Sequence, residues 1–134
     1  GGDEPGPAPA AVPETPPEFT LDLPTRPEAA LLYRLSGDIN PLHADPEFAA
    51  KAGFPKPILH GLATYGAACR GIVRLLCGGD PQALKSFGAR LTSPVFPGET
   101  LRLEAWRVSA HEAAFRCRVP ARDVVVLANG SATL

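Results

Sequence analysis

The sequence contains one long helical pattern, and nearly everything after it alternates in the manner of β-strands. The helical pattern begins at His60 and stops at the glycine pair 78–79. Its apolar residues recur at helical spacing: Leu62, Tyr65, Cys69, Ile72, Val73 and Leu76. Small side chains fill many positions between them: Ala63, Gly66, Ala67, Ala68 and Gly71. A helix with so many small residues is predicted to press closely on a sheet.

The strand patterns follow one another with short connections. We predict strands over residues 85–92, 99–109, 113–119 and 123–134, and a short early strand over 19–23. In the pattern that starts at residue 99, Leu101 and Leu103 face one way while Arg102 and Trp106 face the other. The short connections favour antiparallel pairing. We therefore expect an α+β domain in which the long helix packs on one face of the sheet.

Two short helices are predicted between the first strand and the long helix. The first covers residues 27–35, with Thr25 as its N-cap and Glu28 completing a capping box. The second covers residues 46–52 and is capped by Asp45. The segment between these two helices is predicted to be irregular.

The first 17 residues are rich in proline and glycine, with prolines at positions 5, 7, 9, 13, 16 and 17. Such a stretch buries little apolar surface, so residues 1–17 are predicted to be a linker or arm and residues 18–134 the folded domain. The chain contains no methionine. We therefore expect it to be a processed product or part of a longer protein, with another segment before the linker.

Composition argues against several classes of function. The chain has 13 basic and 14 acidic residues and a formal charge of −1, which disfavours a nucleic-acid surface. It lacks an apolar run of about 18 residues, so we expect no membrane span, and it shows no signal-peptide pattern. Cys69, Cys77 and Cys117 have no metal or disulfide spacing, so buried reduced thiols in a reducing compartment are expected.

Asp38 and His43 are the residues best suited to chemistry. They lie five residues apart in a loop constrained by glycine and proline. If their side chains converge, they can hold a water, one group taking a proton while the other gives one. A turn aspartate and an incidental surface histidine explain the same residues. The spacing alone leaves both interpretations open.

Gly61 lies where the long helix is predicted to begin. A helix N-terminus offers unpaired N–H groups and a positive dipole end, and glycine lets a ligand approach the backbone. Together these features make a candidate site for a carbonyl oxygen that gains charge. Tight helix packing explains Gly61 equally well. The neighbouring His60 is expected to orient the loop, and a contact with the ligand is the alternative.

Residues 36–43, SGDINPLH, resemble the signature of the MaoC-like, R-specific enoyl-CoA hydratases, or hydratase 2. The similarity continues through residues 45–46, 52–54, 56–62 and 94–101, which covers nearly all of the chain after the linker. It is greatest to the C-terminal, catalytic half of the two-repeat hydratases, such as the hydratase region of peroxisomal multifunctional enzyme type 2. The fold that it implies is the hot dog, a long central helix wrapped by an antiparallel sheet.

The resemblance assigns roles to individual residues. It implies that Asp38 and His43 bind and activate the water, and that Asn40 helps to position it. It implies that the N–H of Gly61 donates to the thioester oxygen of the substrate. Contacts with the substrate are implied for Leu91 and for the backbone of the loop residues Ile39, Pro41 and Leu42. Arg90 lies beside Leu91, and its guanidinium suits the CoA phosphates, although a solvated surface charge explains it as well. No metal site is implied.

The implied reaction is the reversible hydration of a trans-2-enoyl-CoA to a (3R)-3-hydroxyacyl-CoA. No cofactor is expected, since CoA arrives as part of the substrate. The alternative is a non-catalytic hot-dog subunit that binds acyl-CoA within a larger hydratase complex, although the intact Asp38, Asn40 and His43 argue against it. A hot-dog thioesterase is disfavoured because residues 61–77 contain no Asp or Glu.

A second hot dog is the expected partner. A lone hot dog would expose a sheet edge and an incomplete acyl tunnel, so an N-terminal repeat, a partner chain or a homodimer is expected to complete it. Trp106, on the polar face of its strand, is expected to pack on that partner or on the surface. The bacterial cytoplasm is the favoured compartment, with the peroxisome as the alternative in a eukaryote.

Overall fold

The computed structural model describes residues 11–134, so the first ten residues of the predicted linker lie outside the described residues. Within that range the strands are β1 (Phe19–Pro24), β2 (Ser86–Leu91), β3 (Thr100–Ser109), β4 (Glu112–Val119) and β5 (Val124–Thr133). The α-helices are α1 (Ala29–Tyr33), α2 (Pro46–Lys51) and α3 (Gly61–Leu76). Single 3₁₀ turns lie at residues 34–36, 41–43, 81–83 and 120–122. None of the helices within residues 11–134 has the length and apolar character needed to cross a membrane.

The strands form one antiparallel sheet in the order β1-β3-β4-β5-β2. The register places Leu23 opposite Leu101 and Leu103 opposite Cys117, which puts these apolar side chains on one face. Helix α3 packs against the sheet, and the core contains Leu23, Ala68, Ile72, Leu101, Leu103, Phe115 and Leu127. The predicted α+β arrangement, with one long helix and antiparallel strands, is confirmed.

The buried side of α3 consists of small residues and one large apolar residue, Ile72. Its buried positions are Thr64, Ala68, Gly71 and Ile72. Leu62, which the helical pattern placed among the apolar residues, is 66% exposed. A Cβ atom on Gly71 would lie 2.6 Å from Cδ2 of the buried Leu103, so any side chain at this position would force Leu103 to shift.

A second close approach ties three strands together. A Cβ atom on Gly130 of β5 would lie 2.5 Å from the ring and the carbonyl oxygen of Phe115, its cross-strand partner on β4. Phe87 of β2 stacks on the same ring with the centroids 4.7 Å apart. The Phe115 ring therefore covers the bare backbone of Gly130 and links β2 to β4.

The predicted capping box at the first helix is wrong. Helix α1 begins at Ala29 with Glu28 as its N-cap, and no side chain caps it. The Thr25 hydroxyl instead donates to the carbonyl oxygen of Glu99 at 2.6 Å and accepts from the N–H of Gly98 at 3.0 Å. Those partners lie more than 70 residues along the chain, so local spacing could not reveal them. The predicted cap at Asp45 is confirmed, since its carboxylate accepts from the backbone N–H groups of Glu47 and Phe48.

Trp106 is covered by the chain itself. Its side chain points away from the α3 side of the sheet, yet the residue is only 2% exposed. The indole N–H donates to the carbonyl oxygens of Thr15 and Pro16, at 2.8 Å and 3.1 Å. The Arg116 guanidinium lies 5.4 Å from the centre of its ring. The end of the proline-rich segment therefore packs on the outer face of the sheet, where a partner or solvent was expected.

Two glycines of α3 offer a matched test of the helix packing. Gly66→Ala adds a Cβ that meets nothing within 4 Å. We expect the higher helix propensity of alanine to raise the free energy of unfolding there by up to ~1 kcal/mol. Gly71→Ala drives a Cβ against Leu103, and we expect it to lower the free energy of unfolding by about 1–3 kcal/mol. Urea denaturation measures the free energy of unfolding of both variants. Equal changes in the two variants would contradict the close approach of α3 to Leu103.

Candidate active site

The loop between α1 and α2 is shaped by its own polar side chains. Gly37 adopts a positive φ of 118° at the end of the 3₁₀ turn that follows α1. The Asp38 carboxylate accepts from the N–H of Asn40 at 3.3 Å, and the Asn40 side-chain oxygen accepts from the N–H of Leu42 at 3.0 Å. These hydrogen bonds cap the next 3₁₀ turn and carry the chain to His43.

His43 is buried and held in one orientation. Its Nδ1 lies 2.8 Å from the carbonyl oxygen of Ile58. A carbonyl oxygen only accepts hydrogen bonds, so Nδ1 carries the proton in the neutral ring and Nε2 keeps its lone pair. A histidine in this state can take a proton at Nε2, which is the property that a general base requires.

Asp38, His43 and His60 converge. One ligand atom from each lies within 4.8 Å of the others, with Asp38 exposed and both histidines buried. Two hydrogen bonds of about 2.8 Å each can span such a gap through one water. The same donor types also bind metals such as zinc. A metal and a bridging water would use the same atoms, so the two uses exclude each other.

His60 contributes more than the sequence indicated. It is 1% exposed, its Nε2 lies 3.1 Å from the carbonyl oxygen of Asp38, and its ring stacks on that of His43 with the centroids 3.8 Å apart. The sequence favoured a role in orienting the loop and left a contact with the ligand open. The signal that could have revealed more is its position directly before Gly61, at the start of the long helix.

Gly61 opens helix α3, as predicted, with His60 as the N-cap residue. The N–H groups of a first helical turn have no partner within the helix, so they face outward as donors. A Cβ atom on Gly61 would lie 2.6 Å from Cδ1 of Leu91. Gly61 and Leu91 both line a cleft of about 300 Å³, together with Phe54, Ile58, Leu59, Thr64, Ser93, Pro94 and Val95.

The other predicted contact residues are more dispersed. Ile39 is 69% exposed on the loop beside Asp38. Pro41 and Leu42 form the 3₁₀ turn, and Arg90 is an exposed residue of β2 opposite Ala128. His43 lines a separate cleft of about 230 Å³, with Pro27, Ala30, Leu31, Ala44, Lys56, Pro57 and Pro97. The structure thus brings Asp38 to His43 and Gly61 to Leu91. His60 lies between these two pairs in the sequence, and it contacts both Asp38 and His43.

A hydrogen-bond network supports the approach to Gly61. The N–H of Leu59 donates to the carbonyl oxygen of Val95 at 2.7 Å, which ties the segment before α3 to the loop before β3. That loop is held by Glu99, whose carboxylate accepts from the N–H of Phe96 at 2.7 Å and from the Arg122 guanidinium at 2.6 and 2.8 Å. Arg122 also donates to the carbonyl oxygen of Pro94.

The charge state of Glu99 follows from this network. Burial alone would raise the pKa of the Glu99 carboxyl. The hydrogen bonds from Arg122 and from the Phe96 N–H, with the charges of Arg122 and Lys56, nevertheless hold the pKa below its ordinary value of 4.5. The ionised form is therefore the one that the fold stabilises.

The three cysteines show no reactive environment. Cys77 and Cys117 are buried, Cys69 is partly buried, and all three are free. Burial, with a smaller contribution from the Glu104 charge, raises the pKa of the Cys117 thiol to about 12. Burial also raises the pKa values of Cys69 and Cys77. Because a thiolate is the nucleophile, these positions disfavour cysteine chemistry.

The long helix laid against an antiparallel sheet, with the Asp38–His43 pair near the helix start, defines a hot-dog domain. The structure of a MaoC-like dehydratase from Phytophthora capsici superposes on it with a TM-score of 0.93 and 40% sequence identity, covering 97% of this chain and 46% of that one. The model of the MaoC like domain family matches residues 9–129. The chain belongs to this family.

Two curated relatives are similar in sequence. The 3-hydroxyacyl-thioester dehydratase Y of Mycobacterium tuberculosis is 53% identical over 118 residues, which cover 87% of this chain and 41% of the relative. The peroxisomal enoyl-CoA hydratase 2 of Arabidopsis thaliana is 49% identical over 117 residues, which cover 87% of this chain and 38% of the relative. The chain therefore spans about two-fifths of the length of these relatives.

The Glu99 network makes a prediction about acid stability. Because the Glu99 pKa is lowered by folding, its stabilisation is present above the ordinary value of 4.5 and is lost as pH falls through the lower, folded value. We expect Glu99→Gln to lower the free energy of unfolding at pH 7 by about 1.5–3 kcal/mol. The deficit should shrink as pH falls below 4.5.

Urea denaturation at neutral pH and at about pH 3.5 measures how far the stability deficit of Glu99→Gln shrinks. The lower pH is at the acid end of the range where glutamate titrates. Glu28→Gln is the matched control, because the Glu28 carboxylate is exposed and pairs with the exposed Arg26 at 3.4 Å. A deficit in Glu99→Gln that is equally large at both pH values would contradict the proposed role of the ionised carboxylate.

Proposed function

We propose that this chain catalyses the reversible addition of water to a trans-2-enoyl-CoA, which gives a (3R)-3-hydroxyacyl-CoA. The observation that carries the proposal is the convergence of Asp38 with His43, whose Nδ1 proton is directed to Ile58 and whose Nε2 is left as a base. The names of the relatives, enoyl-CoA hydratase 2 and 3-hydroxyacyl-thioester dehydratase, support the same class of reaction.

In the proposed reaction, Asp38 and His43 hold the water and take one of its protons as its oxygen bonds to C3 of the substrate. The electron pair of the C2–C3 double bond moves toward the thioester, and C2 then receives a proton from the same pair on the same face. One O–H bond and the π component of the C2–C3 double bond are broken, and one C–O and one C–H bond are formed. No electrons are exchanged with a further reagent, so no redox cofactor enters the balance, and we propose that no metal does; CoA is part of the substrate.

The start of α3 supplies the electrostatic half of the proposal. As water adds to C3, negative charge develops on the thioester oxygen. The N–H of Gly61 and the positive end of a 16-residue helix would stabilise that charge more in the transition state than in the ground state. The cleft shared by Gly61 and Leu91 is proposed to hold the thioester and part of the acyl chain.

The contacts implied by the resemblance fit around this centre. We propose that Ile39, Pro41 and Leu42 line the site beside the water, while the Asn40 side chain holds the loop in shape through its hydrogen bond to Leu42. Arg90 is exposed and is proposed to meet the phosphates of CoA, a task that suits the guanidinium group.

A second hot dog is proposed as the partner. Large apolar side chains remain exposed on and after α1, on the site loop and beside Gly61: Leu31, Leu32, Leu35, Ile39, Leu62 and Leu91. Large exposed apolar side chains in this number are expected where a second domain covers the surface. The relatives are more than twice as long as the matched region, so a second repeat, a partner chain or a second copy could each supply the cover.

A reducing compartment is proposed for the chain, with the bacterial cytoplasm favoured. The three free thiols support this proposal, since oxidising compartments promote disulfides. The peroxisome is the alternative, and the Arabidopsis relative bears that location in its name.

Asp38→Asn tests the proposed reaction directly. The substitution removes the carboxylate and keeps the shape, so we expect kcat to fall by roughly 10²–10⁴-fold. The loss of enoyl-thioester absorbance on short, medium and long trans-2-enoyl-CoAs measures the rate. Asp22→Asn is the control, because Asp22 is an exposed residue of β1 paired with Arg102.

The mass of the active species is measured on the same sample by size exclusion. A folded dimer that binds but hydrates no enoyl-CoA would favour the non-catalytic acyl-CoA-binding subunit. An inactive monomer would show that the second hot dog must be supplied before activity is judged.

Gly61 has two explanations that a pair of variants separates. Gly61→Ala should lower kcat at least about tenfold, because the new Cβ hinders the approach of the thioester oxygen to the N–H. The same Cβ also strikes Leu91. Leu91→Ala removes that clash, so the double variant should stay about tenfold slower than Leu91→Ala alone. A double variant as fast as Leu91→Ala would mean that Gly61 serves packing only.

A further inference from the structure

We propose that His60 is a positioning residue for the Asp38–His43 pair, and that it acts as a neutral ring held in a single tautomer. The inference deepens the proposed hydratase function and rests on it. It assigns His60 no proton transfer and no contact with the substrate. Its role is to fix, from the start of α3, the places of the two groups that hold the water.

The first contact fixes the residue that carries the carboxylate. His60 Nε2 lies 3.1 Å from the main-chain carbonyl oxygen of Asp38, which is 22 residues earlier in the chain. The carbonyl oxygen cannot donate, so Nε2 carries the hydrogen. The side chain of Asp38 is exposed on a loop, and this bond ties the loop to the N-cap residue of the long helix.

The second contact fixes the base. The rings of His60 and His43 stack with the centroids 3.8 Å apart and an angle of 25° between their planes. Tyr33 packs against the His60 ring as well, with the centroids 4.6 Å apart. The His43 ring is thus restrained by Ile58 at its Nδ1 edge and by His60 on its face.

The burial of His60 sets its charge. Its Nδ1 is buried and has no hydrogen-bond partner among residues 11–134. A proton there would create a buried charge without a partner, at the positive end of α3 and against the ring of His43. The neutral ring with its hydrogen on Nε2 is the form that fits these surroundings.

The position of His60 links the two halves of the proposed chemistry. It is the N-cap residue of α3 and is followed directly by Gly61. One side chain therefore sets the Asp38 backbone and the His43 ring relative to the N–H that would receive the thioester oxygen. Misplacement of reacting groups by about 1 Å can cost roughly 10²-fold in rate, so such a link bears on kcat rather than on substrate binding.

Two substitutions separate the two contacts. His60→Phe keeps a flat ring for the stack and removes the donor to Asp38, whereas His60→Gln keeps an N–H near the position of Nε2 and removes the ring. We expect His60→Phe to lower kcat roughly 10- to 100-fold with KM changed less than about twofold. His60→Gln should recover part of that loss. His111→Phe is the matched control, since His111 is exposed in the turn between β3 and β4.

Nitrogen NMR of the wild-type histidine rings tests the geometry without turnover. We expect the hydrogen on Nε2 in His60 and on Nδ1 in His43, so the two rings should show opposite tautomers near pH 7. A charged His60 ring at that pH, or a hydrogen on its Nδ1, would overturn the inference. So would a His60→Phe variant with the kcat of the wild type.

The failure of the inference and the failure of the proposed function are distinguishable. An active wild type with an equally active His60→Phe overturns only the positioning role. A folded wild type, assembled with its partner domain where one is needed, that hydrates no enoyl-CoA overturns the hydratase proposal and the kinetic part of this inference with it. The tautomers would then stand as a structural fact alone.

Discussion

The close approach of helix α3 to the sheet is the constraint on which the rest of the structure depends. At Gly71 the helix lies so near Leu103 that a Cβ atom would force Leu103 to shift, and Ala68 and Ile72 are completely buried beside it. Packed cores deform little, so the depth and angle of α3 are fixed along its length. That in turn fixes where its first residue, Gly61, meets Leu91. The core and the candidate site are therefore set by the same contact.

The site is organised by main-chain carbonyl groups rather than by further charges. The oxygen of Ile58 orients His43, and the oxygen of Asp38 orients His60. Each of these acceptors fixes a tautomer without adding a carboxylate to the cluster. Asp38 is consequently the one acidic member among the three converging side chains. Because neutral carbonyl groups orient the two histidines, this orientation adds no charge to the site.

Much of the fold could be predicted from the sequence because its signals are local. The period of the long helix, the alternation of the strands and the Asp45 cap each depend on residues a few positions apart, and each is confirmed. The capping box predicted at Thr25 is wrong because the Thr25 hydroxyl donates to the carbonyl oxygen of Glu99, in the distant loop before β3. The cover over Trp106 was missed for a similar reason, since Thr15 lies 91 residues away. In the site, the spacing of Asp38 and His43 was visible, whereas the stack of His60 on His43 exists only after α3 is placed.

The residues that flank β1 have a consequence for the solubility of the fold. β1 is an edge strand of six residues, and an edge strand is a template on which other chains can add. Pro17 precedes it and Pro24 ends it, and neither has an N–H to donate to a further strand. Asp22, within it, is engaged by Arg102. A short edge bounded by proline and carrying a charged residue resists the addition of further strands.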